Sequence, residues 1–233
     1  VLNRNGAHHL RNLLPSVQQN VAYPNFELVI IDHGSTDDSL AVIQSFESRL
    51  AIKLVALPEN DSFSTSTNRA SRQTDAEYLL LLNNDIIFRD DALTPMAAAL
   101  ANPEVGVVGC QLRYPPEEPT FPDGIQHAGI KFYGDANANF IRPYNLSARQ
   151  GVRTSGVGVE RLPAVTAACA LVRKSDFDAV GGLDEGYFYG YEDVDFCLRI
   201  QTELGMSTVC VHDAVATHDE SATQRADPGE EVA

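Results

Sequence analysis

The chain has 233 residues, 44% of them hydrophobic, and a formal net charge of −15. That length buries one sizeable core and favours a single domain, while the acidic balance, with no basic cluster, argues against a binder of nucleic acid or of membrane surfaces, which needs clustered Lys and Arg. No apolar run approaches the roughly 20 residues that span a bilayer, and no signal-peptide pattern appears.

Leu10, Leu13, Leu14 and Val17 recur at helical spacing and predict a first helix, followed by a buried strand over residues 26–32 (FELVIID). Leu40, Ile43, Phe46 and Leu50 give a second helix, with Ser35 or Thr36 placed to cap it and Asp37 and Asp38 favourable in its first turn. A strand over 52–56, a polar stretch over 62–77, a strand over 78–82, a helix over 92–101 and a strand over 105–112 follow. This alternation predicts an α/β fold with a mostly parallel sheet covered by helices on both faces.

From 113 to about 160 the pattern dissolves into Pro, Gly and Asn, as expected of a long functional loop or lid. Regular structure returns as a small-residue turn into a strand (AVTAACALVRK), a helix over 175–180, the Gly181-Gly182 break, a helix over 191–204 and a strand over 207–211 with a short segment to 217. One domain over 1–221 is expected, divided into halves 1–112 and 113–221, with a flexible tail over 222–233. Cys110, Cys169, Cys197 and Cys210 lack any CxxC spacing and sit in apolar runs, as reduced core cysteines of a cytosolic protein do.

In open α/β sheets, ligands bind beyond the carboxyl ends of the strands, so polar residues directly after strands are the candidates. Asp32 closes its strand before His33-Gly34-Ser35-Thr36, which puts a carboxylate and free backbone N–H groups on that rim or simply caps a helix. Asn83-Asn84-Asp85 ends the next strand, where amide and carboxylate suit a hard cation and a sugar hydroxyl, or form a turn. Asp193 shares a helix face with Phe196, Cys197 and Ile200, which places it at the edge of the core, where a carboxylate gains basicity. Glu192 lies on a stripe with Asp195, Phe196 and Arg199, and the Asp195–Arg199 spacing reads as helix support. His218, after the last strand, is a candidate ligand for a metal or diphosphate through its neutral imidazole, or a structural histidine. An acidic protein that binds a diphosphate offsets the repulsion with a divalent cation.

The segments VLNRNG, ELVIIDHGSTDDS, TNRAS, EYLLLLNND, TAACALVRKSDF, GGLDEGYFYGYEDVDFCLR and THDES, in that order, resemble a family 2 glycosyltransferase with the inverting, layered α/β/α GT-A fold and its smaller acceptor-side subregion. The resemblance covers nearly the whole chain, and IQHAGIKF with DFCLR and HDES looks closest to the branch that builds bacterial surface polysaccharides. It implies that Asp32 contacts the nucleotide base, that Asn3 and Asn5 flank the same pocket, that Arg69 lines the nucleotide sugar, and that Asn83 and Asn84 lie by the nucleotide. It further implies Asp85 and His218 as ligands of Mn²⁺ or Mg²⁺, Asp193 as catalytic base and Glu192 as its understudy.

The expected partners are a nucleoside-diphosphate sugar and a glycan or lipid-linked acceptor, with no nucleic acid. Additional domains are expected in a longer protein, which works in the cytoplasm and reaches the inner face of the membrane through regions outside this chain. Three departures stand out: an amide replaces the first acid of the Asp-x-Asp-like motif at Asn83, His33 stands where a small polar residue or acid is commoner, and Asp61 replaces a glycine. A nucleotidyltransferase and a non-catalytic carbohydrate-binding domain are the rival readings. The first lacks a Gly-rich phosphate loop with Lys or Arg, and a dinucleotide fold is disfavoured because Gly156-Val157-Gly158 neither follows a strand nor opens a helix.

Overall fold

The computed structural model describes residues 1–135, 140–152, 154, 156–187 and 190–219. The tail expected over 222–233 lies outside them. Short β1 (Leu2–Asn3) leads into α1 (Ala7–Asn20), whose predicted stripe of Leu10, Leu13, Leu14 and Val17 is buried, as helical periodicity requires. Strand β2 (Leu28–His33), α2 (Ser39–Phe46) and β3 (Ile52–Leu57) complete a parallel three-stranded sheet, ordered β1-β2-β3.

Next come α3 (Phe63–Ser71), β4 (Tyr78–Leu82), β5 (Ile86–Phe88), α4 (Leu93–Leu100), β6 (Val105–Arg113) and β7 (Ile125–His127). A ribbon of β8 (Ile130–Asp135) and β9 (Phe140–Asn145), then β10 (Val159–Leu162), β11 (Cys169–Arg173), α5 (Lys174–Ala179), α6 (Glu192–Leu204) and the long β12 (Ser207–His218) follow. The second sheet runs β10-β12-β6-β11-β4, with β5 on β12 and β7 on β6. The layered α/β architecture is as expected. Its sheet is mixed: β6 and β12 pair in parallel, but β11 enters antiparallel between β4 and β6. One core cluster joins α1, α2 and α4 to one side of the sheets, and a second packs Phe177 of α5 and Phe196, Cys197 and Ile200 of α6 against the other.

Three local expectations change. The polar stretch over 62–77 contains α3, whose inward face is Ser64, Ser66, Thr67, Asn68 and Ser71, anchored by hydrogen bonds of Ser66 and Asn68 where an apolar stripe is lacking; Ser62 caps it by accepting from the Thr65 N–H at 3.1 Å. The region over 113–160 holds β7, the β8–β9 ribbon and β10, because Ile130 to Asp135 and Phe140 to Asn145 pair residue for residue, with Pro143 tolerated in a two-stranded ribbon. Ser35 and Thr36 do not cap α2. Gly34 (φ 63°) turns the chain, and Asp37 accepts from the Ser39 N–H at 2.9 Å, which frees the two hydroxyls for the rim.

Among the described residues the two sheets meet through one bridge, Leu2 to Asn83. Beside it, where β1 supplies only two residues between β2 and β4, lies a cavity of about 770 Å³ walled by apolar side chains including Leu28, Leu80, Leu82 and Phe88. None of the residues proposed from sequence for the site lines it. All four cysteines are free and buried; burial pushes the Cys197 thiol up to about 12 and raises that of Cys210. Among the described residues no helix is long and apolar enough to cross a membrane.

Candidate active site

The parallel register of β1 and β2 sets Asn3 directly opposite Asp32, both buried at the carboxyl ends of their strands. Asn3 donates to Asp32 at 2.8 Å, and Ser35 adds its hydroxyl at 2.6 Å and its N–H at 3.0 Å. A carboxylate offers about four lone-pair positions; these three donors leave little of Asp32 for a base. Asn5, in the left-handed region (φ 49°), accepts from the Thr36 N–H at 2.8 Å and donates its own N–H to Ser35, and Asn84 reaches over to donate to Asn3 at 2.9 Å. Asn3, Asn5, Asp32 and Asn84 therefore form one network, with Ser35 as the hub that sequence reading took for a helix cap.

Gly6 makes this network possible. A methyl there would stand 2.4 Å from both Asn3 Oδ1 and Asn84 Nδ2. Gly6→Ala is expected to cost about 1–3 kcal/mol, as overpacking does, and to break the Asn84–Asn3 bond. A thermal melt and a nucleotide titration of the variant check this; unchanged values in both would refute it.

The next strand end carries Asp85. Because β5 runs antiparallel to β12 with Ile86 opposite His218, the preceding Asp85 and the imidazole of His218 are brought face to face, Nε2 to Oδ1 at 3.1 Å. That approach does not make a hydrogen bond, and Asp85 Oδ1 is buried without one. The tautomer follows from the network. Gln126 donates its amide N–H to the His218 carbonyl at 3.0 Å, which turns its Oε1 toward His218 Nδ1 at 2.7 Å and makes Nδ1 the protonated nitrogen. In its neutral form the imidazole then presents the Nε2 lone pair to the Asp85 carboxylate, an arrangement that can hold a cation between them, since Asp/His is a donor pair that binds divalent ions. Among the described residues no cluster of three or more His, Cys, Asp or Glu could hold a metal, so further ligands would come from diphosphate or water.

Asp193 opens α6 beside the turn before β11. It accepts from the Ala167 N–H at 3.3 Å and from its neighbour Val194 at 2.8 Å. Burial outweighs these bonds and raises its pKa above the ordinary 3.8. Glu192 is also raised, by burial first and the Asp193 charge as well, and its Oε2 is buried without a partner. Tyr191, ahead of both, is held at φ 69°, a conformation that costs a non-glycine residue and that gathers at functional sites. The turn also ties this side to the metal side, since Asn83, adjacent in sequence to Asn84 and two residues before Asp85, donates its N–H to Ala168 O at 3.0 Å.

Arg69 stands apart. In the last turn of α3 it pairs with Asp61 at 3.5 Å, so the departure at Asp61 engages the residue expected to line the nucleotide sugar. The departure at His33 is absorbed structurally, its Nε2 lying 2.8 Å from Ser66 Oγ, and burial lowers its pKa. Residues not singled out from sequence hold the rest together. Asn68 exchanges hydrogen bonds with the Leu183 backbone and donates to Glu185, pinning the segment before α6 to α3. Ser35, Gln126, His127 and Thr166 all lie in segments quoted above, but nothing in their local pattern gives their partners.

Comparison with known proteins identifies the family and the fold. The chain is 31% identical to the O-antigen biosynthesis protein RfbC of Myxococcus xanthus over 94% of its own length, though it spans only 17% of that protein. It is 26% identical, over 97% of the chain and 76% of the relative, to an N-acetylglucosaminyl-diphospho-decaprenol L-rhamnosyltransferase of Mycobacterium tuberculosis. The mannosyltransferase PcManGT of Pyrobaculum calidifontis, solved with GDP-Man and Mn²⁺, has the same fold, with a TM-score of 0.67 over 93% of this chain and 55% of that one at 18% identity. The model of the family described as glycosyl transferase family 2 matches residues 1–181. With that match across most of the sequence, the chain belongs to glycosyl transferase family 2 and is a glycosyltransferase domain with the GT-A fold.

Proposed function

We propose that this chain transfers a sugar, with inversion, from a nucleoside-diphosphate sugar to a hydroxyl of a glycan or lipid-linked acceptor in polysaccharide synthesis, assisted by Mn²⁺ or Mg²⁺. The observation that carries the reading is the short turn at 166–168: its Ala167 N–H holds the raised carboxylate of Asp193, and its Ala168 carbonyl holds Asn83, beside the facing pair Asp85 and His218. The substrates named for the rhamnosyltransferase and for PcManGT support the donor and acceptor classes.

In this reading Asn3, Asn5, Asp32, Asn83 and Asn84 line the nucleotide, with Asp32 acting largely through the Ser35 and Asn3 groups it fixes. Residues 1–112 serve the donor and 113–221 the acceptor. Asp193 takes the proton of the acceptor hydroxyl as its oxygen attacks the anomeric carbon; the bond to the diphosphate breaks and carries its electron pair away with the leaving group. Desolvation, by raising the pKa of Asp193, makes it a better base than an exposed carboxylate. Glu192 orients the acceptor beside it and is the alternative base. A cation held by Asp85 and His218 supplies charge stabilisation to the departing diphosphate.

A thermal-shift screen over UDP-, dTDP- and GDP-sugars, with and without Mn²⁺, followed by a donor-hydrolysis assay, tests the proposal. One donor class should stabilise the protein only with metal and be hydrolysed slowly to sugar and nucleoside diphosphate. Metal-dependent binding without turnover would instead favour a carbohydrate-binding role, and release of pyrophosphate would favour nucleotidyl transfer.

A further inference from the structure

Strand β7 is only three residues long, yet its last two side chains reach both halves of the proposed reaction centre. β7 pairs with the end of β6, Leu112 opposite His127, and β6 in turn pairs with β12, so β7 lies across the end of β6 from the terminus of β12. From there Gln126 grips His218 at two points, its amide N–H on the carbonyl at 3.0 Å and its Oε1 against Nδ1 at 2.7 Å. The next residue, the buried His127, sets Nδ1 against Asn145 Oδ1 at 2.9 Å and accepts the Thr166 N–H on Nε2 at 3.2 Å. Thr166 begins the turn whose hydroxyl and Ala167 N–H bond Asp193.

We infer that Gln126 and His127 are paired positioning residues: Gln126 aims the Nε2 lone pair of His218 at the cation and diphosphate, and His127 holds the 166–168 turn that seats the base. This rests on the catalytic reading above and extends it to two residues that touch neither substrate. The pairing has a physical rationale. Adjacent residues of a strand point to opposite faces, so one short element serves two groups that must flank the transferred sugar, and the separation of those groups is set by a single stretch of backbone. Burial holds His127 neutral, its pKa lowered to about 4, so it keeps one N–H for Asn145 and one lone pair for Thr166.

The two substitutions should therefore fail differently. Removing a supporting partner of a metal-bound histidine typically costs about 10- to 100-fold in metal affinity or activity. Gln126→Leu is expected to weaken Mn²⁺-dependent nucleotide binding, read by calorimetry with Mn²⁺ and the nucleoside diphosphate, by about that factor. The acid limb of its pH–kcat profile should stay in place. His127→Phe keeps the ring and removes both hydrogen bonds. It should leave that binding unchanged, lower kcat by about 10- to 100-fold, and move the acid limb to higher pH, because Asp193 loses donors that favour its charged form.

Gln126→Glu, which keeps the acceptor for Nδ1, and His127→Gln, which keeps an acceptor for Thr166, should each recover most of the corresponding loss. They also carry the test if either apolar variant does not fold. A wild-type protein that neither binds nor turns over any sugar nucleotide overturns the catalytic reading itself. With an active wild type, parallel loss of binding and kcat in both positions, no loss in either, or no recovery by the conservative variants overturns the pairing.

Discussion

Replacing Asp193 with Asn is expected to lower sugar transfer by about 100- to 10,000-fold, the usual contribution of a positioned general base, with donor binding near that of the wild type. Asn is close to Asp in shape and keeps an oxygen for one of the two backbone donors, Ala167 or Val194, so the fold around α6 should persist while the proton acceptor is gone. The wild-type pH profile carries the same signature. Because burial raises the pKa of Asp193, kcat should fall on acidification at a pH above the ordinary carboxylate value of 3.8, and the variant should lack that limb.

Stability must move in the matching direction. Between the unfolded value of 3.8 and the higher folded one, the native state holds the Asp193 proton more tightly than the unfolded chain. Stability contributed by this group is therefore lost as pH rises through that window. Chemical denaturation of the wild type and the Asn variant, from below to above the window, should show a steeper loss in the wild type, because in the variant only Glu192, whose pKa is also raised, still contributes a slope of this sign. Wild-type turnover in the variant would sink the assignment of the base.

The second large effect is at the cation. Asp85→Ala or His218→Ala is expected to abolish the Mn²⁺-dependent part of nucleotide binding and to cut turnover by about 100- to 1,000-fold, the kinetic equivalent of several kcal/mol of charge stabilisation. A chelator should do the same to the wild type and nothing further to the variants, because the two treatments remove one interaction. Full activity of wild type in excess chelator would remove the metal from the proposal while leaving Asp193 in place.

What could be read from the sequence follows from range. The buried stripe of α1, the strand ends at Asp32 and Asp85, and the placement of Asp193 by its spacing to Phe196, Cys197 and Ile200 all depend on neighbours within a turn or strand, and periodicity reports these. α3 escaped because its inward face is hydroxyls and an amide, which no hydrophobic pattern marks. The β8–β9 ribbon was hidden by its Pro, Gly and Asn, although its two strands pair over their whole length. Ser35 was read as a cap because the serine-before-helix signal is local, whereas its partners Asn3 and Asn5 lie about 30 residues back. Gln126 bonds a histidine 92 residues away, a relation that only the sheet creates.

The sealed thiols offer a built-in clock. Cys110, Cys169, Cys197 and Cys210 are buried, so a water-soluble alkylating reagent reaches them only when the surrounding structure opens. Ligand at about 100 times its Kd stabilises the closed form by about 2.7 kcal/mol. If the openings that expose the thiols also release the ligand, alkylation should slow by about two orders of magnitude, and a sugar nucleotide could be ranked by mass spectrometry before any acceptor is known.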